Sequence, residues 1–363
     1  RFFELAEEMD DVISLGVGEP DFSAPWKARA SAIHSLERGR TSYTTNRGMY
    51  DLRAAISTHV TRYDLDYGPE EEVLVTTGAS EAVDLALRAI VDPGDAVAIQ
   101  SPAYISYGPG VRFSGGDPLP VSTRAANDFV LTYDDLERAG AADAEVLMIC
   151  YPNNPTGATA TGGELAEIAT FAREHDLTVL SDEIYAGLTY DGDHTSIATL
   201  PGMRERTVVF NGFSKAYAMT GLRLGYALGP AEAIDAMNRI HQYTMLSAPT
   251  TAQYAALEAL QSCDDDVAEM RTQYDRRRRF VISRFRDMGL DCFEATGAFY
   301  AFPEAPYDDE QFAEDLLHDQ GVALVPGRVF GEEGHGHLRV SYATGMSALK
   351  EALNRIEAFL DAR

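Results

Sequence analysis

The sequence predicts an α/β protein of two domains, the larger built on a mostly parallel sheet between helices and the smaller of α+β type. Three observations carry that expectation. At 363 residues the chain exceeds the usual single-domain size. Between about residues 70 and 215, short apolar runs alternate with helical patterns, which is the signature of a parallel sheet. From about Ala255 the pattern changes to long helices separated by short strands.

In chain order, residues 11–22, DVISLGVGEPDF, give a short strand and then a Gly16-Val17-Gly18 turn that Pro20 stops from continuing as a helix. No third glycine opens a helix here, so this is not the dinucleotide-binding fingerprint. Residues 25–37 have amphipathic spacing, with Trp26, Ala30, Ile33 and Leu36 on one face. A polar loop holding Tyr43 follows, and then a further helix. Four apolar runs come next: Glu72 to Thr76, Ala96 to Gln100, Glu145 to Cys150 and Leu177 to Ser181. They lead into Thr77-Gly78-Ala79-Ser80, Ser101-Pro102-Ala103-Tyr104, Tyr151 to Gly157 (YPNNPTG) and Asp182-Glu183-Ile184-Tyr185. A fifth run, Thr207 to Phe210, ends in Asn211-Gly212, where the backbone turns, and Lys215 follows. Ligands of open α/β sheets bind beyond the carboxyl ends of the strands, so five such ends converge on one crevice.

Residues 264–288 read as a long helix that opens with acids and carries Arg276 to Arg279 toward its other end. Amid excess acid, that arginine run reads as a solvated face. Short strands in CFEATGAFYAF and HLRVSYA and an amphipathic helix from about Ser347 to Leu360 complete the chain. The GHGH at 334–337 reads as a glycine-rich turn, because no third metal ligand stands beside it, and no metal is expected.

Composition narrows the function. Asp and Glu number 57 against 30 Lys and Arg, a net charge of −27. Phosphate backbones need a clustered basic surface, so nucleic acid is excluded as a partner. An acidic, lysine-poor surface keeps a protein soluble by self-repulsion, a lever used by halophiles, and a salt-rich cytoplasm is the expected setting. Cys150, Cys263 and Cys292 are few, odd in number and far apart, which points to a reducing interior without a disulfide framework. No apolar run reaches the roughly 20 residues that span a bilayer. No charged-then-apolar leader opens the sequence. Its first residue is Arg1, so further residues are expected ahead of it.

Lysine is scarce: Lys27, Lys215 and Lys350 are the whole set, and arginine supplies the other basic residues. A chain that builds its cations from arginine has kept an amine at the end of a buried strand. An amine can lose its proton in a desolvated site and form an imine with an aldehyde, which a guanidinium cannot. If that aldehyde is pyridoxal phosphate, the site needs an acid for the ring nitrogen, a phosphate cradle and ring contacts. Asp182 stands at a strand end as the acid. Gly78-Ala79-Ser80 opens a helix, whose N-terminus with a hydroxyl beside it suits a phosphate, and Ser214 and Arg223 can close the cradle. Tyr104 can lie against the ring, and Asn154 and Tyr185 can donate to its phenolic oxygen. Each residue also has a purely structural alternative: Tyr104 and Tyr185 as core aromatics, Arg223 and Arg339 as salt-bridge partners, Asp182 as a helix cap.

On these residues the chain resembles a fold-type I, pyridoxal-phosphate-dependent aminotransferase of the class I/II family, with aspartate and aromatic aminotransferase-like members. The resemblance runs from Leu15 to Leu360 and is most specific in SLGVGEPDF, YPNNPTG, SDEIY and GFSKAYAMTGLRLGY. It implies a large cofactor-binding domain over 36–254 and a small domain made of 1–35 and 255–363. It implies Lys215 as the imine-forming lysine and proton shuttle, Asp182 as the partner of the ring nitrogen, and Asn154 and Tyr185 on the phenolic oxygen. Ala79, Ser80, Ser214 and Arg223 would surround the phosphate, with Tyr43 reaching the phosphate of the neighbouring subunit of a homodimer. Arg339 would grip the substrate's α-carboxylate, with Gly18 approaching it by backbone. The implied reaction is ping-pong transfer of an amino group between an L-amino acid and a 2-oxo acid. A lyase on the same scaffold and a cofactor-binding regulator are the alternatives. One departure bears on substrate: Ser80 stands where some relatives that accept aspartate carry a lysine. Arg47 and Arg112 are the other candidates for a side-chain carboxylate, or plain surface charges.

Overall fold

Residues 11–363 are described by a computed structural model. The opening ten residues of the expected 1–35 segment lie outside the described residues. Strand β1 (Ile13–Ser14) precedes a seven-stranded sheet of β2 (Val73–Thr76), β3 (Ala96–Ser101), β4 (Asp117–Ser122), β5 (Val146–Cys150), β6 (Thr178–Asp182), β7 (Thr207–Gly212) and β8 (Gly225–Leu228). Their order across the sheet is β2-β8-β7-β6-β5-β3-β4. Strands β4, β3, β5, β6 and β7 run parallel, while β8 lies antiparallel to both β7 and β2. The five apolar runs of the sequence are β2, β3, β5, β6 and β7.

These runs are apolar throughout because successive side chains enter different cores on opposite faces. Val75 and Val209 pack with the helices Tyr50–Val60 and Thr250–Ser262. Their neighbours Leu74 and Phe210 pack with Met148, Leu180 and the helix Ala79–Ile90. Leu147 and Val179 face the helix Gly162–Glu174. Strands β4 and β8 carry weaker signals in the sequence. The first is an edge strand interrupted by Pro118 and Pro120. The second opens at Gly225, where a Cβ would lie 2.4 Å from the Ala79 amide nitrogen, so only glycine lets this hairpin touch the start of the helix Ala79–Ile90.

A separate core gathers the helices Asp264–Asp287, Asp309–Gln320 and Met346–Asp361 around Phe285, Phe312, Leu316, Leu353 and Ile356. With it go β9 (Tyr300–Ala301), β10 (Val322–Ala323), β11 (Val325–Pro326) and β12 (Leu338–Ser341). β12 lies antiparallel between β11 and β9. β1 pairs in parallel with β10, which ties Leu15 into this core.

Two sequence expectations are corrected. In the helix Trp26–Glu37 the buried positions are Ala28, Ala32 and Ser35, while Trp26, Ile33 and Leu36 are 65%, 50% and 54% exposed. Small residues win because Ala28 and Ala32 share a core with Ala252, Ala255, Ala256 and Ala259, an arrangement that larger side chains would force apart. The run Arg276 to Arg279 is only half solvated, since Arg277 and Arg278 are buried. At about 100° per residue, four consecutive positions cannot share one face. Arg277 pairs with Asp21 at 2.7 Å, and Arg278 with Asp275 at 2.8 Å and Glu294 at 3.1 Å. The GHGH segment is a turn pinched at Gly327 and Gly334, where a Cβ on either would fall within about 2.1 Å of the other's carbonyl oxygen. His335 lies 3.9 Å from Asp308 and Asp309, whose carboxylates are bonded by Arg328.

Candidate active site

Lys215 lies just beyond β7, after Phe213 and Ser214. Its Nζ donates to the Gly18 carbonyl at 2.7 Å and lies 5.7 Å from the ring centres of Tyr185 and Phe299. Burial lowers the amine to about 8 from its usual 10.5; the charge of Glu19 opposes the shift and that of Arg339 adds to it.

Asp182, the last residue of β6, is buried beside it. Its Oδ2 accepts from the Tyr107 hydroxyl at 2.7 Å and its Oδ1 from the Ile184 amide at 3.1 Å. Burial pushes the carboxyl up, and these two donors hold it partly down. Two donors leave this buried carboxyl with further acceptor positions for a third partner. Tyr107 escaped the sequence reading. It opens the helix Tyr107–Phe113, and its ring meets that of Tyr104 edge-on at 5.6 Å. The signal available was its place one helical turn after Tyr104.

Arg339 projects from β12 toward the same crevice. Its Nη1 donates to Asn154 Oδ1 at 3.0 Å and its Nη2 to the Gly16 carbonyl at 2.6 Å. Its Nε is buried with no partner among the described residues. Tyr300 and Phe330 each lie 4.7 Å from the guanidinium, two aromatic contacts the sequence did not announce. With Oδ1 of Asn154 occupied, its Nδ2 is the end free to donate. The Tyr185 hydroxyl meets that of Tyr300 at 2.9 Å. Gly18 is forced by contact, since a Cβ there would lie 2.3 Å from the Tyr300 oxygen.

An anion cradle completes the arrangement. Gly78 has φ +81°, and a Cβ on it would lie 2.7 Å from Arg223 Nη2, so the glycine lets the guanidinium approach the N-terminus of the helix Ala79–Ile90. Arg223 is exposed and has no carboxylate partner among the described residues, although acids outnumber bases in the chain. Free helix amides and a guanidinium whose hydrogen bond among the described residues goes only to the Thr220 carbonyl, at 3.0 Å, together suit a phosphate. Ala79 and Ser80 stand on the first turn, and Ser214 is buried just ahead of Lys215. The amine, the buried acid and the cradle fit pyridoxal phosphate in its three functional parts.

Four candidates stand apart. Tyr104 is partly exposed. Tyr43 is 78% exposed and joins none of these contacts within its own chain. Arg47 is committed to Asp235 at 3.1 Å and the Glu71 carbonyl at 2.8 Å, and Arg112 is exposed on the helix Tyr107–Phe113.

Comparison with known proteins identifies the family. The family model "Aminotransferase class I and II" matches residues 10–356. The Bacillus subtilis protein YugH is 51% identical over 99% of this chain and 94% of its own length. An aspartate aminotransferase of Pyrococcus abyssi is 42% identical, again over 99% and 94%. The crystal structure of an aromatic aminotransferase from Pyrococcus horikoshii superposes with a TM-score of 0.95 at 41% identity, covering 100% of this chain and 99% of that one. The chain therefore belongs to the class I and II aminotransferases, pyridoxal-phosphate-dependent enzymes of fold type I that move an amino group between an amino acid and a 2-oxo acid.

Proposed function

We propose that Lys215 holds the cofactor's aldehyde and serves as the base of the transfer; the observation that carries this reading is an amine set between the Gly18 carbonyl and the rings of Tyr185 and Phe299, where burial lowers it to about 8. When bound, pyridoxal phosphate supplies a sink for the electron pair left as the substrate's Cα–H bond breaks. Lys215 Nζ takes that proton, which requires the neutral amine that burial favours. Asp182 would pair with the ring nitrogen, and Tyr107 holds Asp182 in place through its hydroxyl. Asn154 and Tyr185 would donate to the phenolic oxygen, Tyr104 would contact the ring, and Ala79, Ser80, Ser214 and Arg223 would hold the phosphate. Arg339 takes the α-carboxylate, with the backbone of Gly18 beside it.

The Arg339 assignment is tested by Arg339→Lys. A guanidinium offers a bidentate fork that an ammonium cannot copy. The KM for every amino acid and 2-oxo acid should rise about ten- to a hundredfold, the worth of one charged hydrogen bond, with cofactor absorbance unchanged. Loss confined to acidic substrates would instead make Arg339 a side-chain reader. Lys215, Arg223 and Arg339 already have tasks, Arg47 is bound to Asp235, and Ser80 is uncharged. That distribution favours donors with uncharged side chains over dicarboxylates.

The proposed division is a large domain over 36–254 and a small domain of 1–35 with 255–363. The helices Trp26–Glu37 and Thr250–Ser262 pack across that boundary, with Ala28, Ala32, Ala255, Ala256 and Ala259 in the large-sheet core. We assign the working form as a homodimer of a salt-rich cytoplasm. Among the described residues no helix is long and apolar enough to cross a membrane. Trp26, Ile33, Leu36, Tyr43, Tyr243 and Met245 are exposed, and two hydrogen bonds join their loops: Asn46 Nδ2 to the Leu246 carbonyl at 2.7 Å and Thr250 Oγ1 to the Ser42 carbonyl at 2.8 Å. A second subunit covering this surface would place Tyr43 at its neighbour's phosphate. Two chains of net charge −27 repel, and salt shortens that repulsion to about 10 Å at 0.1 M and about 3 Å at 1 M. Dilution from molar to low salt should therefore dissociate the dimer, with cofactor lost in parallel, when followed by mass and absorbance. A protein that stays dimeric in low salt would remove the salt-adapted reading, and a monomer that keeps its cofactor would remove the Tyr43 role.

A further inference from the structure

The loop between β11 and β12 carries a carboxylate that the transfer itself does not use. Glu333 is partly buried and accepts hydrogen bonds from two serine hydroxyls of the large sheet, Ser101 at the end of β3 and Ser122 at the end of β4. The same loop makes two further contacts across this junction. The Phe330 carbonyl accepts from the Ala103 amide at 3.0 Å. Gly331, with φ +130°, lies so close that a Cβ there would fall 2.4 Å from Ser101 Oγ. The base of the loop is fixed independently, by the Gly327–Gly334 approach and by Arg328 on Asp308 and Asp309. Only the tip, Phe330 to Glu333, therefore depends on the large sheet for its position.

Phe330 is what that tip places. Its ring lies 4.7 Å from the Arg339 guanidinium, with the Tyr300 ring at the same distance. Among the described residues Arg339 Nε has no hydrogen-bond partner, and the contacts that orient the guanidinium are two hydrogen bonds and these two rings. Ser101 also begins the segment that carries Tyr104 and Tyr107.

We propose that Glu333 is a positioning residue: by clasping Ser101 and Ser122 it holds Phe330 against Arg339 and so aligns the guanidinium for the substrate's α-carboxylate. The inference rests on the reading of Arg339 as the carboxylate site. A clasp of this kind acts on substrate binding and leaves proton transfer at Lys215 alone, which separates it from a general loss of structure.

The test is steady-state kinetics with one amino acid and one 2-oxo acid on the cofactor-loaded protein. Glu333→Ala should raise both KM values about tenfold, with kcat within about twofold and cofactor absorbance unchanged. Glu333→Gln keeps an acceptor for one serine and a donor for the other, and should stay within about threefold of the parent. Glu333→Ala combined with Arg339→Lys should raise KM little beyond Arg339→Lys alone, because coupled residues are not additive. Unchanged KM in Glu333→Ala, a Gln variant as impaired as Ala, or full additivity with Arg339→Lys would each overturn the clasp. If Arg339→Lys by itself leaves KM unchanged, the carboxylate assignment fails and the clasp fails with it. If only the Arg339 variant is impaired, the assignment stands and the clasp alone is lost.

Discussion

Lys215→Ala is expected to lower kcat at least about a thousandfold, since general base catalysis alone contributes about 10² to 10⁴ and the proposed role of this residue includes holding the cofactor. The protein should still fold, because the lysine's contacts are a hydrogen bond to the Gly18 carbonyl and the faces of two rings. A pH measurement on the cofactor-free parent checks the cause. Burial disfavours the charged amine, so the shift is downward, and the amine is neutral above about 8 instead of above 10.5. Amine-directed acylation of Lys215, followed peptide by peptide, should therefore rise with a midpoint near 8. A midpoint near 10.5 would mean that the amine is solvated and not prepared to act as a base.

Asp182→Asn is the second large effect. The amide cannot carry the negative charge that a protonated ring nitrogen needs, and breaking a buried ion pair costs about 3–5 kcal/mol, or roughly a hundred- to five-thousandfold in kcat. Tyr107→Phe should cost less, about tenfold, because it removes one hydrogen bond to a charged group and leaves the Ile184 amide in place. It should also move the acid limb of the kcat profile to higher pH. The reasoning is one of sign: the Tyr107 hydroxyl stabilises the Asp182 carboxylate, so its removal raises a carboxyl already raised by burial. An unchanged acid limb in Tyr107→Phe would separate the tyrosine from the function of Asp182.

The sequence disclosed the site where local pattern and chemistry coincide. Asp182 and Lys215 each end or follow an apolar run, and Gly78 precedes a helix whose start needs no tertiary information. The residues that hold these groups were hidden because their partners are distant in sequence. Tyr107 lies 75 positions from Asp182 and Glu333 lies 232 from Ser101, and no spacing rule reaches that far. The exposed side of the helix Trp26–Glu37 was hidden for another reason: hydrophobic periodicity names an apolar face without saying whether the chain's own core or another chain covers it. Charge misled at Arg277 and Arg278, where excess acid supplies buried partners as readily as it supplies a solvated surface.

The central claim is that one amine of three holds the cofactor. Reduction of the cofactor-loaded protein with borohydride, followed by digestion and mass mapping, fixes the pyridoxyl group to the amine that held its aldehyde. The label should fall on Lys215 alone, in the segment 211–223, and be absent from Lys215→Ala. A label on Lys27 or Lys350, or a protein that binds the cofactor and yields no label at all, would contradict the account at its base.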